Sequence, residues 1–323
     1  MLVTGASGFL GGNLARALIA RGHRVRVLAR GGRRPVALEG LDYELRVGDL
    51  CDAASLAAAV RGCRQVYHAA ASLSFWCPTA RDFEAVHRVN VEGTRALLDA
   101  AASAGVERVV HVSTVDAIGL PPRGEVADEE TDWAGGWIDT PYARTKREAE
   151  AVARAARVET VIVNPAFMIG PWDPKPSSGR LLRPLARARM VAWPRTGGNN
   201  FVDVRDVVCG AIAAMAHGRP GERYILGHAN LTYRELFGLA LRVLGRRPLM
   251  VPVPGPVAQL VGFVLEGGAR LAGRTPALTV ALARLAVAGH YYSPAKAIRE
   301  LGLPQTPVEV ALRDAFRWYA AHS

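Results

Sequence analysis

Cysteine is scarce in this chain and is spaced for neither disulfides nor metal. Cys51, Cys63, Cys77 and Cys209 form no CxxC pair and no Cys/His ligand pattern. That argues against a disulfide scaffold and a structural zinc site, and no metal is expected. A charged-then-apolar leader is also lacking. The first residues run straight into a glycine turn, and a cytoplasmic protein with reduced thiols is expected. Basic clusters interleaved with aromatics are missing too. The net charge of +11 comes mainly from scattered arginines, so no nucleic-acid partner is expected and attraction for anionic small molecules is the better account. One long uncharged run exists, Pro248–Leu265, but Pro248, Pro252, Pro254 and Pro256 break its first half. It reads as a loop entering an apolar helix, not as a stable membrane span. Internal repeats and low-complexity linkers are absent.

What is present is a chain of 323 residues, half of them apolar, enough for one large or two intimate domains. Its opening, Met1-Leu2-Val3-Thr4-Gly5-Ala6-Ser7-Gly8-Phe9-Leu10-Gly11, is a short apolar strand followed by glycines at every third position. Leu10, Leu14, Ala17 and Leu18 then give a helical apolar face. In that setting Gly5 permits a tight turn, Gly8 lets backbone approach a pyrophosphate, and Gly11 lets the helix pack on the strand. The free N–H groups of the helix start, around Ser7 to Leu10, suit phosphates. A dinucleotide cradle is therefore expected. A second strand, Arg24–Arg30, ends on Arg30, with Arg33 and Arg34 following and no acid before Glu39. An acid there would hold a ribose 2′-hydroxyl, whereas a guanidinium suits a 2′-phosphate. NADP is favoured, with NAD as the alternative.

Strand and helix patterns alternate through the first half. Strands are expected at 41–47, 65–69, 107–114 and 159–164, and helices at 53–60, 81–104 and 142–156. Such alternation predicts an α/β fold, a doubly wound parallel sheet covered on both faces. Beyond Pro165 the regularity fades among prolines and glycines. Residues 1–165 plus about 200–220 are expected to form the sheet unit. About 166–199 plus 221–323 would form a smaller, discontinuous substrate unit, with helices near 233–244, 257–271 and 308–321.

Tyr142 and Lys146 lie four residues apart in Thr140-Pro141-Tyr142-Ala143-Arg144-Thr145-Lys146. Thr140 reads as an N-cap and Pro141 as the first helical residue, so the pair shares one helical face. A phenol beside an ammonium can do proton chemistry, because the cation lowers the phenol's pKa.

The motifs taken together resemble the extended short-chain dehydrogenase/reductases along nearly the whole chain. In order these are Thr4-Gly5-x-x-Gly8-x-x-Gly11, Gly48-Asp49-Leu50, His68-Ala69-Ala70-Ala71, Asn90-Val91-Glu92-Gly93-Thr94, Ser113-Thr114, Tyr142-x-x-x-Lys146 and Asn164-Pro165-Ala166. Within that family the chain resembles dihydroflavonol-reductase-like and hopanoid-associated sugar-epimerase-like proteins. The resemblance implies a Rossmann fold and a set of roles. Tyr142 would be the acid–base residue, and Lys146 would lower its pKa and hold the nicotinamide ribose. Thr114 stands where the family usually has a serine, and Ser113 is the competing hydroxyl. Asp49 would hold the adenine amino group with Leu50 beside the ring. Ala69, Ala70 and Ala71 would line the adenosine ribose, and Pro165, Phe167 and Met168 would flank the nicotinamide. Asn90 would cap or pack.

Two activities fit this machinery. One is reduction of a ketone or aldehyde of a hydrophobic small molecule by hydride transfer, with a 3β-hydroxysteroid-type dehydrogenase as its oxidative relative. The other is epimerisation of a sugar nucleotide. Family epimerases carry an arginine and a histidine where this chain has Asn199 and Asp203, which suits a diphosphate poorly. Phe75, Trp76, Trp133, Trp137, Phe167, Met168 and Trp172 are candidates for an apolar pocket. A silent cofactor-binding scaffold is the non-enzymatic reading, and an intact Thr114, Tyr142 and Lys146 set argues against it. The resemblance also implies a homodimer packed through 81–104 and 142–156.

Overall fold

Side-chain alternation along the first strands sets the architecture. Leu2, Val66, Val109 and Ile162 point to one face of a sheet, and Val3, Tyr67, Val110 and Val163 to the other. Both faces are apolar, so both are covered, as a parallel sheet requires. The computed structural model describes residues 1–120, 125–131, 140–175 and 177–322. Its strands are β1 (Leu2–Thr4), β2 (Arg26–Ala29), β3 (Glu44–Val47), β4 (Gln65–His68), β5 (Arg108–Val112) and β6 (Glu159–Pro165). Then follow β7 (Phe167–Ile169), β8 (Met190–Pro194), β9 (Gly198–Asp203), β10 (Arg223–Leu226), β11 (Ala229–Thr232), β12 (Leu249–Val253) and β13 (Gly289–His290).

The main sheet has seven strands in the order β10-β6-β5-β4-β1-β2-β3. All its pairings are parallel. Direction along the sheet reverses between β1 and β4, the point at which open α/β sheets bind ligands beyond their carboxyl ends. The expected parallel doubly wound sheet is therefore present. Residues 223–226, assigned from sequence to the smaller unit, pair with β6 as the seventh strand.

The helices are α1 (Phe9–Ala20), α2 (Ala53–Val60), α3 (Ala80–His87), α4 (Gly93–Ser103), α5 (Pro141–Arg154) and α6 (Gly179–Leu182). The rest are α7 (Val204–His217), α8 (Tyr233–Val243), α9 (Gly255–Leu271), α10 (Val280–Val287), α11 (Ala295–Leu301) and α12 (Val308–Ala321). One face of the sheet is covered by α1 and α7, the other by α2, α4 and α5. Local chemistry explains the starts. Asp52 caps α2 by accepting from Ala54 N, and Thr140 caps α5 by accepting from Ala143 N at 3.1 Å. Thr79 with Asp82 and Thr232 with Glu235 close capping boxes at α3 and α8.

The single helix expected over 81–104 is instead α3 and α4 joined by a π turn, Arg88–Glu92. The widened turn carries Asn90, which is buried. Asn90 accepts from Ser72 N and donates to Ser72 O and Thr145 Oγ1. It thus ties the loop after β4 to helix α5, a more specific job than capping. The irregular region beyond Pro165 also contains strands. β9 pairs with β7 and β13 in parallel and with β11 antiparallel, and β8 pairs with β12. A third apolar cluster, including Ile169, Phe201, Leu236, Ala240, Leu312 and Phe316, holds these strands against α8 and α12.

Candidate functional site

The carboxyl ends of the central strands gather nearly every residue singled out from sequence. Gly5 follows β1, Arg30 follows β2, Ala69–Ala71 follow β4, Ser113 and Thr114 follow β5, and Ala166 to Met168 follow β6. Asp49 and Leu50 lie just beyond β3. These six loops line the edge on which the sheet reverses.

The glycine turn fits a dinucleotide. Gly5 has φ +77, and a Cβ there would lie 2.6 Å from the backbone of Ala69 and Ala70. A Cβ on Gly11 would run into the Gly5 carbonyl, so α1 packs against the turn as closely as backbone allows. Gly8 donates to Gly5 O at 2.9 Å and serves as N-cap of α1 without any side-chain cap. The first-turn N–H groups of Phe9, Leu10 and Gly11 therefore have no intrahelical acceptor, and the first turn carries no acid. Ser7 is exposed beside them, while Phe9 and Leu10 turn their side chains into the core. Free N–H groups at an uncapped helix start are the chemistry that suits a phosphate. Arg30 is exposed at the end of β2, in a short turn whose Gly31 and Gly32 take positive φ. Asp49 is half-buried and accepts from Cys51 N at 2.9 Å, and Leu50 is buried against Gly93. Ala69 and Ala70 are half-buried and Ala71 exposed; Pro165 is buried, with Phe167 and Met168 half-buried after it.

At the mouth of β5 the candidate proton-transfer residues come together. Lys146 is buried and donates from Nζ to Val112 O at 2.7 Å. Burial pushes its ammonium down to about 8, against a smaller upward pull from Glu150. Tyr142 is half-buried, and its ring meets Phe75 edge-on at 5.4 Å. Its phenol is shifted up, first by burial and then by the charge of Asp116, with a hydrogen bond to Thr114 pulling the other way. The sequence expectation was a phenol lowered by Lys146. Here burial of the phenol, followed by the charge of Asp116, shifts it the other way. Of the two hydroxyls, Thr114 reaches Tyr142, whereas Ser113 Oγ is buried without a hydrogen-bond partner among the described residues. Asn164 Nδ2 donates to Thr114 O at 2.9 Å and to Glu150 Oε1 at 2.5 Å, fixing the β5 turn against β6 and α5.

Asp116 was missed in sequence. Burial pushes its carboxyl up to about 6, partly offset by a hydrogen bond to Thr114. It lines a small cavity with Thr140, Leu285, His290 and Tyr292. The available signal was an acid in the otherwise apolar run Val115–Leu120, two residues past the hydroxyl pair.

The aromatic candidates divide. Phe75 touches Tyr142, and Trp76 beside it lies under Arg270 at 5.1 Å. Phe167 packs on Phe201 at 5.3 Å, which in turn meets Tyr233. Trp172 is the correction: it stacks with Arg16 at 3.9 Å, Trp318 and His322, at the end of α12. Its φ is +64, the left-handed region. Trp133 and Trp137 lie outside the described residues. Asp203 is fully buried as the N-cap of α7 and pairs with Arg205, and Asn199 sits half-buried on β9. Among the described residues no group of three His, Cys, Asp or Glu side chains is placed to hold a metal ion. No described helix is long and apolar enough to cross a membrane.

Known proteins share this sequence and this fold. Residues 1–227 match the model of the NAD dependent epimerase/dehydratase family. A Synechocystis sp. protein named provisionally as dihydroflavonol 4-reductase is 37% identical over 99% of this chain and 94% of its own. Sterol demethylase protein B of Methylococcus capsulatus is 36% identical over 98% of this chain and 97% of its own. Among solved structures, that of gox2253 superposes with a TM-score of 0.85 at 36% identity, covering 100% of this chain and 98% of the other.

Proposed function

Because the chain belongs to the NAD-dependent epimerase/dehydratase family of extended short-chain dehydrogenase/reductases, an NAD(P)-dependent enzyme family, we propose that it reduces a ketone or aldehyde of a hydrophobic small molecule with NADP as cofactor. The observation that carries the reading is the meeting of Tyr142, Thr114 and Lys146 at the carboxyl end of β5, beside the glycine turn. A phenol protonated at neutral pH can give its proton to a carbonyl oxygen, which is the acid's part in carbonyl reduction. NADPH, when bound, supplies the hydride.

The chain's own residues do the rest. The turn Gly5–Gly11 and the α1 N–H groups would hold the pyrophosphate, and Arg30 would pair with a 2′-phosphate. Lys146, charged below about pH 8, would hold the nicotinamide ribose from its place against β5. Tyr142 would give its proton to the substrate oxygen. Thr114, already hydrogen-bonded to the phenol, would donate to the same oxygen as charge develops there. Phe75 and Phe167 would offer apolar walls, and the sterol and flavonoid names of the two curated relatives support a greasy substrate. Sugar-nucleotide epimerisation is the weaker reading. Asp203, which stands where epimerases place a histidine, is committed to capping α7 and to Arg205. A homodimer through α3, α4 and α5 is proposed on family resemblance.

The test is a screen of hydrophobic ketones and aldehydes with NADPH and NADH in parallel, read at the nicotinamide absorbance. Turnover is expected with NADPH first. Tyr142→Phe should lower kcat by at least about a hundredfold, the usual worth of a general acid, with NADPH affinity nearly intact. Full activity in that variant, or tightly co-purified NAD with turnover of a sugar nucleotide alone, sinks the proposal.

A further inference from the structure

We propose that the α9–α10 hairpin is a peripheral docking element that seats the protein on an anionic lipid surface, beside the mouth of the Tyr142 site. The idea deepens the hydrophobic-substrate reading and rests on it for its purpose, though not for its geometry.

Helix α9 presents a dry face to water. Leu260, Phe263 and Val264 are each more than 60% exposed, and Leu271 is 93% exposed. Val257, Leu260, Val261 and Val264 follow helical spacing, so the exposed groups form a stripe. Leu249 and Met190, paired across β12 and β8 just before the helix, are exposed as well. The opposite side of α9 is pinned. A Cβ on Gly262 would meet the Thr279 backbone at 2.9 Å, and Glu266 accepts from Val280 N at 3.1 Å. The apolar stripe is thus held outward by a packed inner face, and among the described residues nothing covers it.

Charge selects the occupant. Residues 245–290 contain Arg246, Arg247, Arg270, Arg274 and Arg284 against the single acid Glu266. That acid is already paired with Arg270 at 3.1 Å. Arg247, Arg270, Arg274 and Arg284 are exposed, and Arg270 and Arg274 bracket Leu271 at the end of α9. A second copy of the chain would bring the same arginines face to face, since a two-fold interface is self-complementary. A surface of anionic headgroups over hydrocarbon matches both the cationic rim and the apolar stripe.

The hairpin also adjoins the site. Arg270 of α9 lies over the Trp76 ring at 5.1 Å, and the neighbouring Phe75 meets Tyr142. Leu285 of α10 lines the cavity shared with Asp116 and Tyr292. A bilayer against α9 would place its apolar layer beside the loop that touches the proton donor.

The experiment is flotation of the full-length protein with vesicles of equal parts phosphatidylcholine and phosphatidylglycerol, and with phosphatidylcholine alone. Binding should favour the anionic vesicles by about tenfold or more and weaken with salt. The triple variant Leu260→Asp, Phe263→Asp, Val264→Asp should lose flotation while keeping the native melting temperature. Arg247→Glu with Arg274→Glu tests the charge separately and leaves the apolar stripe untouched. No flotation of the unaltered protein on anionic vesicles overturns the proposal. So does a triple variant that floats undiminished, or one that instead dissociates a dimer in sedimentation. NADPH-dependent reduction of a ketone in free solution is measured on the same samples. Flotation without any turnover retains the docking surface and rejects the reductase; turnover without flotation does the reverse.

Discussion

Asp116 adds to the upward shift of the candidate proton donor, after burial. Its carboxyl titrates near 6, so it is ionised at neutral pH, and that charge pushes the Tyr142 phenol upward after burial has done so. In reduction the protonated phenol is the working form, and a lower pKa makes it a stronger acid. Asp116→Asn removes the charge and keeps the shape. The phenol's pKa should drop, and kcat/KM for reduction at pH 7 to 8 should rise about two- to fivefold over the native protein. Below about pH 6 the native Asp116 is protonated and the two enzymes should converge. A pH–rate profile from 5 to 8 checks this; a ratio of variant to native that stays constant across the range would mean that Asp116 does not act on Tyr142. The spacing of Tyr142 and Lys146 was legible because an i,i+4 pair needs only a helix. The direction of the phenol's shift was not, since it depends on how much water the folded chain leaves around one oxygen. Thr114 over Ser113 was equally closed to sequence: the end of β5 turns one hydroxyl to the phenol and the other into the interior.

Elements with local causes were legible to within a few residues. The glycine turn, the cap Thr140, and strands that alternate or run apolar all act over fewer than ten residues, which sequence displays. The turn before α1 makes the point testable. In Gly11→Ala the new methyl meets the Gly5 carbonyl and must pry α1 from β1. Small-to-large changes in such contacts cost about 1–3 kcal/mol, and the phosphate-facing N–H groups would shift with the helix. NADPH affinity, read by nicotinamide fluorescence, should fall at least about tenfold, given that 1.4 kcal/mol is one decade. Gly267→Ala is the control: its methyl meets open space in a helix, so it should leave affinity unchanged and helix stability equal or slightly higher. Equal affinities for the two variants would remove the cradle from cofactor binding. Elements defined by distant partners were not legible. β7 is three residues long and exists because β9, some thirty residues on, lies beside it. β8 ends on a proline and pairs with β12 across the whole of α8. The π turn at Arg88–Glu92 has no local signal either; its Asn90 is drawn to Ser72 and Thr145, which only the fold brings near.

At the scale of the whole molecule, two histidines built into the sheet's middle should govern its response to acid. His68 on β4 and His111 on β5 are buried with ring centroids 5.3 Å apart. Burial holds both neutral, with the Lys146 charge adding to it: His68 is pushed down to about 3, and His111 well below its ordinary 6.5. The unfolded chain takes up these protons near 6.5, and the folded chain does not. Below that pH the unfolded state binds more protons, so stability falls as pH falls, by about 1.4 kcal/mol per pH unit for each group. For His68 the window closes near 3, where the folded ring also protonates. The net charge of +11 acts in the same direction, since each carboxylate neutralised in acid leaves the cationic excess larger. The two histidines differ in how they can be replaced. His68 bonds Thr4 Oγ1 at 2.9 Å and Thr94 Oγ1 at 3.0 Å, so its removal would orphan buried hydroxyls. His111 has no hydrogen-bond partner on either ring nitrogen among the described residues. His111→Phe should therefore fold, hold its stability near pH 8, and lose one histidine's share of the acid slope. Denaturant unfolding at pH 5, 6 and 8 should show the variant gaining on the native protein by about 1 kcal/mol or more between pH 6 and pH 5. Parallel stability curves would place the acid-sensitive protons elsewhere, in the paired carboxylates of the surface rather than in the centre of the sheet.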